Sequence, residues 1–263
     1  MQTRPFGRTG HTVSRLGFGA MRLPADEVEG RRVLRRAEAV ALLHRAWRAG
    51  VSYVDSAWSY DDGQSEEVVG EALAAWDGPA PTVVTKSPLW LVKKEGDFRR
   101  FLEQQLTRLQ RSHIDVYLFH GNAVRWRDQV IRPFRLVEQA RQAVAEGLIG
   151  HLGFSSHDSA DFVNATVDEG WAEMILVQYN LLDRRYEPAI RHAAGRGLGV
   201  AVMGPVGGGR LGVHSEVLRG LMPAGTATTA ELALRWVLAN PDVTLALSGM
   251  STPAQVDENV AIA

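Results

Sequence analysis

The chain has 263 residues, 45% of them hydrophobic and 22% charged, which suits one large globular domain or two modest ones. Its formal net charge is −1, so it lacks the basic excess that binding to nucleic acid requires. It contains no cysteine, which excludes disulfides, thiolate nucleophiles and cysteine-ligated iron–sulfur clusters.

The amino-terminal segment lacks the apolar core that an export signal needs. Residues 1–19 are polar and are interrupted by proline and glycine, and nowhere do about eighteen apolar residues follow one another. We therefore expect a soluble, cytoplasmic protein without a membrane partner.

Short apolar runs alternate with helical patterns along the chain, an order that is typical of parallel β/α units. Eight runs predict strands at Leu16–Phe18, Tyr53–Asp55, Thr82–Thr85, Val116–Phe119, His151–Phe154, Met174–Gln178, Gly199–Met203 and Thr244–Leu247. Helices are predicted at Arg36–Arg48 and Phe98–Leu109, where apolar residues recur three and four positions apart.

Hydroxyl and carboxylate residues mark further helix starts. Thr228 and Thr252 each begin a capping-box pattern, in which a side chain three positions later can cap in return. Asp158 predicts a similar cap before the helix at 159–168. A basic cluster is interpreted as the solvated entry to a helix, and it consists of Arg31, Arg32, Arg35 and Arg36.

Eight strands with eight helices, and no long Pro/Gly/Ser-rich linker, predict an α/β fold with a single closed (β/α)8 TIM-type barrel over residues 1–263. The alternative is an open, doubly wound sheet. No strand leads into a G-x-G-x-x-G motif, and the one dense glycine cluster, Gly207–Gly209, comes late and after a proline. The barrel is therefore favoured.

Polar residues that close the apolar runs are the candidates for chemistry, because catalytic side chains of such barrels collect at the carboxyl ends of the strands. They are Asp55, Lys86, His120, Ser155, Ser156 and Gln178, with Tyr60 shortly after Asp55. Each residue alone has an ordinary structural explanation, such as a helix cap or a lysine that reaches solvent. An acid, a base, an imidazole and a phenol on one rim together favour a catalytic site.

This set suits proton donation coupled to hydride transfer. Tyrosine has an ordinary pKa of about 10, and the ammonium of Lys86 is expected to lower the pKa of Tyr60 and make it a better proton donor. Asp55 would pair with Lys86, and His120 would hydrogen-bond the substrate oxygen.

The same residues resemble those of the aldo-keto reductases. Residues 54–60 are similar to the family's D-[ST]-A-x-x-Y signature, and residues 84–86 and 114–120 resemble its lysine and histidine strands. Residues 6–10 and 13–19 resemble its short N-terminal β-hairpin and first strand. The resemblance implies that Tyr60 is the general acid, that Lys86 and Asp55 tune it, that His120 orients the carbonyl, and that a reduced nicotinamide supplies the hydride.

The resemblance also implies a cofactor site along the rim. The nicotinamide end would contact Ser155, Ser156, Gln178, Met203, Gly204 and Val206, and Gly19 and Ala20 would also contact the cofactor. The pyrophosphate loop would contain Gly208, Gly209 and Arg210, and the adenosine segment would contain Gly249, Met250, Ser251, Gln255 and Asn259.

The sequence departs from the family pattern in two places. Members that bind a 2′-phosphate often carry lysine and arginine where this chain has Gly249 and Gln255. The choice between NADP(H) and NAD(H) as cofactor is therefore left open. The chain stops four residues after Asn259, so we expect an open pocket for a small, fairly apolar carbonyl compound. Its expected walls are Met21, Trp58, Trp90 and Trp126, the last of these in the loop Gly121–Pro133.

Two other functions stay open beside the reductase. One is a nicotinamide-binding regulatory subunit like the β subunits of voltage-gated potassium channels, and the other is an isomerase or lyase barrel without redox chemistry. The complete set of Asp, Tyr, Lys and His favours the reductase. The eight histidines form no H-x-x-x-H or H-x-H pair, so no metal site is predicted, and the oligomeric state is left open.

Overall fold

Eight parallel strands close into a barrel in the computed structural model, which describes residues 1–213, 216–220, 222–223 and 225–263. In chain order the strands are β1 (Thr3–Pro5), β2 (Thr12–Ser14), β3 (Leu16–Gly19), β4 (Ala25–Val28), β5 (Arg31–Leu34), β6 (Tyr53–Asp55), β7 (Thr82–Ser87), β8 (Ile114–Phe119), β9 (Ile149–Ser156), β10 (Met174–Gln178), β11 (Gly199–Met203) and β12 (Leu245–Ser248). The barrel order is β3-β6-β7-β8-β9-β10-β11-β12, and β12 pairs with β3 to close it. The predicted (β/α)8 TIM-type barrel is confirmed.

Helices connect the strands and surround the barrel. They are α1 (Arg36–Arg48), α2 (Gln64–Ala74), α3 (Asp97–Arg108), α4 (Val124–Trp126), α5 (Leu136–Ala145), α6 (Ala160–Asp168), α7 (Glu187–Gly195), α8 (Glu216–Arg219), α9 (Thr229–Ala239) and α10 (Pro253–Ile262). The predicted helix at Arg36–Arg48 has those bounds, and the one predicted at Phe98–Leu109 begins and ends one residue earlier.

The strands differ from the apolar runs mainly where polar residues continue them. β6, β10 and β11 have the predicted bounds, whereas β7, β8 and β9 are longer. β7 extends past Thr85, so Lys86 lies within the strand rather than after it. β12 begins one residue later than predicted, although the backbone N–H of Thr244 still donates to Val200. An apolar run ends at the first polar residue, but a barrel strand continues as long as its backbone is paired.

The apolar pattern does not predict the hairpin of β4 and β5, because nearly all of its residues are exposed and many are charged. Its turn contains Glu29 and Gly30 at positive φ. Arg31 and Arg32 lie in β5, so their interpretation as a helix entry is wrong, whereas Arg36 does begin α1.

Two of the three predicted helix caps are confirmed. The hydroxyls of Thr228 and Thr252 accept hydrogen bonds at the starts of α9 and α10. The cap predicted at Asp158 is wrong, because Ser159 accepts the hydrogen bond from the first turn of α6 at 3.1 Å. The carboxylate of Asp158 accepts instead from the backbone N–H of Val124 at 3.0 Å.

The predicted N-terminal hairpin, β1 and β2, covers the amino end of the barrel. Between its strands, Phe6 is fully buried and packs edge-on against Tyr53, with ring centroids 5.6 Å apart. Gly7 has a φ of 56°, and a Cβ there would lie 2.2 Å from the backbone nitrogen of Gly199, so only glycine fits this close approach. With the amino end covered, the carboxyl ends of the strands form the accessible end of the barrel.

Candidate active site

Lys86 lies inside the barrel with every ammonium proton engaged. Its side chain has no exposed surface, and Asp55 is 2% exposed. Nζ donates to Asp55 Oδ1 at 2.5 Å, to the backbone oxygen of Ser56 at 2.6 Å and to the Tyr60 hydroxyl at 3.1 Å. Burial lowers the pKa of Lys86, but Asp55 and Tyr60 together raise it by more, so the ammonium stays charged near neutral pH.

Tyr60 begins a tight turn that follows β6. Asp61 and Asp62 in this turn have φ of 48° and 55°, and Arg32 from β5 pairs with Asp61 at 2.7 Å, which holds the turn in place. Burial raises the pKa of Tyr60, the ammonium of Lys86 lowers it, and the net direction is upward. The expected effect of the Lys86 ammonium is therefore present, but burial outweighs it, so the pKa of Tyr60 is not lowered overall. The consequence is a phenol that stays protonated at neutral pH.

His120 follows β8 directly, and its ring lies beside the phenol. Its ring centroid is 6.2 Å from that of Tyr60 and 5.2 Å from that of Trp90, both in edge-on arrangements. Burial, with help from Lys86 and His157, lowers the pKa of His120 to about 3. The imidazole is therefore neutral, and its Nδ1 has no hydrogen-bond partner among the residues that the structure describes.

Two cavities flank these residues at the open end of the barrel. The first, which we call the glycine-lined groove, has a volume of about 550 Å³ and extends from Asp55 and Tyr60 to Gly207–Gly209 and the start of α10. The second, which we call the tryptophan cavity, has a volume of about 650 Å³ and is lined by His120, Trp90 and Trp126. Both volumes lie in the range of roughly 300–1,000 Å³ that is usual for small-molecule sites.

Most of the residues that were assigned to a cofactor line the glycine-lined groove. They are Gly19, Gln178, Met203, Gly204, Val206, Gly208, Gly209, Gly249, Ser251, Gln255 and Asn259. They come from the ends of β3, β10, β11 and β12 and from α10, so strands that are distant in sequence supply one continuous wall.

Five assigned residues are not among those that line the groove. They are Ala20, Ser155, Ser156, Arg210 and Met250. All but Arg210 are buried, and Arg210 donates a hydrogen bond to the backbone oxygen of Gly207. Ser155 accepts from the backbone of Gly121 at 2.9 Å, and Ser156 donates to the backbone of Asn122 at 2.7 Å. These two serines therefore hold the loop that follows His120.

The expected substrate residues separate into three groups. Trp90 and Trp126 line the tryptophan cavity, whereas Met21 lines the groove. Trp58 lines neither, because its ring packs edge-on against Phe101 at 4.9 Å, and the Arg108 guanidinium lies 3.9 Å from the ring centroid. The segment that carries Trp126 is helical rather than a loop, with α4 followed by a π-helix at Arg127–Ile131.

The structure adds residues that the sequence patterns do not indicate. Arg22 and Glu258 line the groove, and His157 and Arg125 line the tryptophan cavity. Arg22 and Arg125 lie in short helical segments outside the strand-end positions from which the site was predicted. His157 directly follows β9, and Glu258 lies within the segment that resembles the adenosine-binding segment, but neither was singled out.

A buried polar network supports Lys86 from outside the barrel. Glu66 in α2 has no exposed surface, and its carboxylate accepts from Thr85, from Gln105 and, at 3.0 Å, from Arg108. Gln105 also donates to the backbone oxygen of Lys86 at 3.1 Å. Since Arg108 stacks on Trp58, this network contacts both the strand of Lys86 and the segment that leads to Tyr60.

The described part of the chain has neither a candidate metal centre nor a candidate membrane-spanning helix. No three or more His, Cys, Asp or Glu side chains among the described residues are grouped so that they could hold a metal ion. Within the same part of the chain, no helix has both the length and the apolar character needed to cross a membrane.

The sequence matches a known family over most of its length. The model of the "Aldo/keto reductase family" matches residues 15–263. L-galactose dehydrogenase of Arabidopsis thaliana is 27% identical over 99% of this chain and 88% of its own length. The NADH-specific methylglyoxal reductase of Escherichia coli is 28% identical over 99% of this chain and 93% of its own length.

Solved structures agree with these sequence relatives. The holo form of an aldo-keto reductase from Bacillus halodurans has a TM-score of 0.84 and 26% identity, covering all of this chain and 90% of that one. An aldo/keto reductase from Klebsiella pneumoniae, in complex with NADP and acetate, has a TM-score of 0.80 and 28% identity, covering 99% of this chain and 89% of that one.

Proposed function

We propose that this chain, which belongs to the aldo/keto reductase family, reduces a small aldehyde or ketone to the alcohol with Tyr60 as the proton donor. Family membership makes it an oxidoreductase whose cofactor is NADP(H) or NAD(H). The observation that carries the proposal is the contact of Lys86 Nζ with both Asp55 and Tyr60, beside the neutral ring of His120.

The glycine-lined groove fits an extended dinucleotide. Gly207, Gly208 and Gly209 all have positive φ, so this part of the wall is bare backbone that an anionic pyrophosphate can approach closely. Asn259 is buried at the far end, and its amide nitrogen donates to Ser248 at 2.9 Å, which leaves the amide oxygen for a ligand. At the near end, Asp55 Oδ2 is a buried oxygen without a partner among the described residues.

Each residue of the site has a separate role in the proposed reaction. A bound reduced nicotinamide would supply a hydride to the carbonyl carbon. Tyr60 donates its hydroxyl proton to the carbonyl oxygen as charge develops there, and the ammonium of Lys86 stabilises the phenolate that remains. Asp55 keeps Lys86 charged and directed at Tyr60, while neutral His120 orients the carbonyl by a hydrogen bond.

The tryptophan cavity is the proposed substrate site because it ends at His120. Trp90 and Trp126 present large apolar surfaces in it, which favours carbonyl compounds with an apolar body. The Arg125 guanidinium lies 4.3 Å from the centroid of the Trp126 ring, and Arg125 adds a charged side chain to the lining of the same cavity.

Activity with a panel of carbonyl compounds tests the proposal. Aldehydes, ketones and reducing sugars are each supplied with NADPH and with NADH, and cofactor oxidation and alcohol formation are followed together. We expect turnover of at least one apolar carbonyl compound, with one alcohol formed per cofactor oxidised. If the protein quenches nicotinamide fluorescence but turns over none of the panel, the regulatory-subunit alternative replaces the reductase.

The pH dependence of reduction is a second test of the assigned protonation states. Because the pKa of His120 is about 3 and the pKa of Tyr60 lies above its ordinary value, neither group should titrate between about pH 5 and pH 9. We expect kcat/KM to show no inflection from His120 near its ordinary pKa of about 6.5. Steady-state kinetics of the wild type and of His120→Asn measure this. An inflection there that His120→Asn abolishes would show that the imidazole titrates and would contradict the assignment.

A further inference from the structure

Arg22 lies at the far end of the glycine-lined groove, across from α10. It ends the short helical turn Ala20–Arg22 that follows β3, and its backbone oxygen accepts from Ser251 Oγ at 2.7 Å. Its side chain is exposed and lines the groove together with Gly249, Ser251 and Gln255. A residue from the turn after the first barrel strand thus contacts the segment that precedes the last helix.

The absence of a side chain at position 249 makes room for Arg22. A Cβ placed on Gly249 would lie 3.2 Å from Cδ and 3.3 Å from Cβ of Arg22. The methylene groups of Arg22 therefore cover the backbone of Gly249, at the position where many members of the family carry a lysine. The guanidinium makes no hydrogen bond or ion pair with any residue that the structure describes, so it is available to a ligand.

Gln255 cannot replace the missing cation at this end of the groove. Its Oε1 accepts from the backbone N–H of Ser251 at 2.7 Å, and its own N–H donates to Thr252 at 3.3 Å. The side chain is thus engaged in capping α10, whose amino terminus also places the positive end of its helix dipole near this region. Glu258 lines the same end of the groove, and Thr228 donates to its carboxylate at 2.8 Å.

We propose that Arg22 binds the 2′-phosphate of NADPH and so supplies the cation that positions 249 and 255 lack. This inference rests on the proposed function, because it requires a dinucleotide in the groove. A guanidinium presents a planar set of donors that matches two phosphate oxygens, and the aliphatic part of Arg22 is already fixed against Gly249. The groove therefore accepts NADPH as well as NADH, although positions 249 and 255 carry glycine and glutamine instead of cationic residues.

Direct binding measurements test the proposal without relying on turnover. The dissociation constants of NADPH and NADH are measured from quenching of tryptophan fluorescence for the wild type, Arg22→Gln, Arg22→Lys and a control, Arg141→Gln. Arg141 lies on the exposed face of α5, so its substitution removes the same charge away from the groove. We expect Arg22→Gln to weaken NADPH binding by about tenfold and NADH binding by less than about twofold. Arg22→Lys should fall between the wild type and Arg22→Gln, and Arg141→Gln should match the wild type.

Each other result identifies which inference fails. An equal loss for both cofactors would place Arg22 on the pyrophosphate that they share and would overturn the 2′-phosphate assignment. Unchanged NADPH binding in Arg22→Gln would overturn it as well. If the wild type bound neither cofactor, the proposed function itself would fail, and this outcome is distinct from the first two.

Discussion

Replacing Tyr60 with phenylalanine should lower kcat by about 10²–10⁴-fold, the range that a positioned general acid contributes. The ring keeps its place in the wall of the groove, and only the proton that is donated to the substrate disappears. The dissociation constants of NADPH and NADH should therefore stay within about twofold of the wild-type values. Steady-state kinetics and fluorescence titration measure the two quantities independently.

Tyr53 offers a matched control for this substitution. It lies on β6, the strand that precedes Tyr60, is fully buried, and donates only a weak 3.9 Å hydrogen bond to the sulfur of Met174. Tyr53→Phe removes a phenol from the barrel interior without touching either cavity, so turnover should be retained. Wild-type kcat in Tyr60→Phe would refute the role assigned to Tyr60.

Replacing Lys86 with methionine should both abolish turnover and destabilise the protein. The substitution leaves the carboxylate of Asp55 inside the barrel without its counter-ion, and losing one partner of a buried ion pair typically costs about 3–5 kcal/mol. Urea unfolding should therefore show a large decrease in the free energy of unfolding. Turnover is lost because no cation remains to stabilise the phenolate of Tyr60.

A double variant separates the two effects of this substitution. In Asp55→Asn/Lys86→Met the unpaired charge is removed, so much of the stability should return while turnover stays low. Arg45→Met, which breaks the exposed pair with Asp257, should change the free energy of unfolding far less. If Lys86→Met and the double variant were equally stable, the buried pair would not be ionised as described.

The candidate catalytic residues can be found from the sequence because their positions follow a rule of topology. Asp55, Lys86 and His120 close neighbouring parallel strands, and the carboxyl ends of such strands meet at one end of a barrel. The contact between Asp55 and Lys86 could be expected from this rule alone. The direction of the Tyr60 pKa could not, because it depends on how completely the folded barrel excludes water.

The same rule does not predict the contacts of residues whose roles depend on the direction of the side chain. Trp58 lies in the signature segment, yet it faces α3 and Arg108 rather than a cavity. Ser155 and Ser156 end a barrel strand, but their hydroxyls hold the neighbouring loop. Arg22 has no motif of its own, and only the folded chain brings it onto Gly249.

Isotope transfer tests the central claim most directly. The carbonyl compound that turns over fastest is reduced with a cofactor that carries deuterium at the transferable position of its nicotinamide, and the alcohol is analysed by mass spectrometry and NMR. The proposed mechanism predicts deuterium on the former carbonyl carbon of every product molecule, while the hydroxyl hydrogen, which comes through Tyr60, carries none. An alcohol without carbon-bound deuterium would contradict hydride transfer from the bound cofactor.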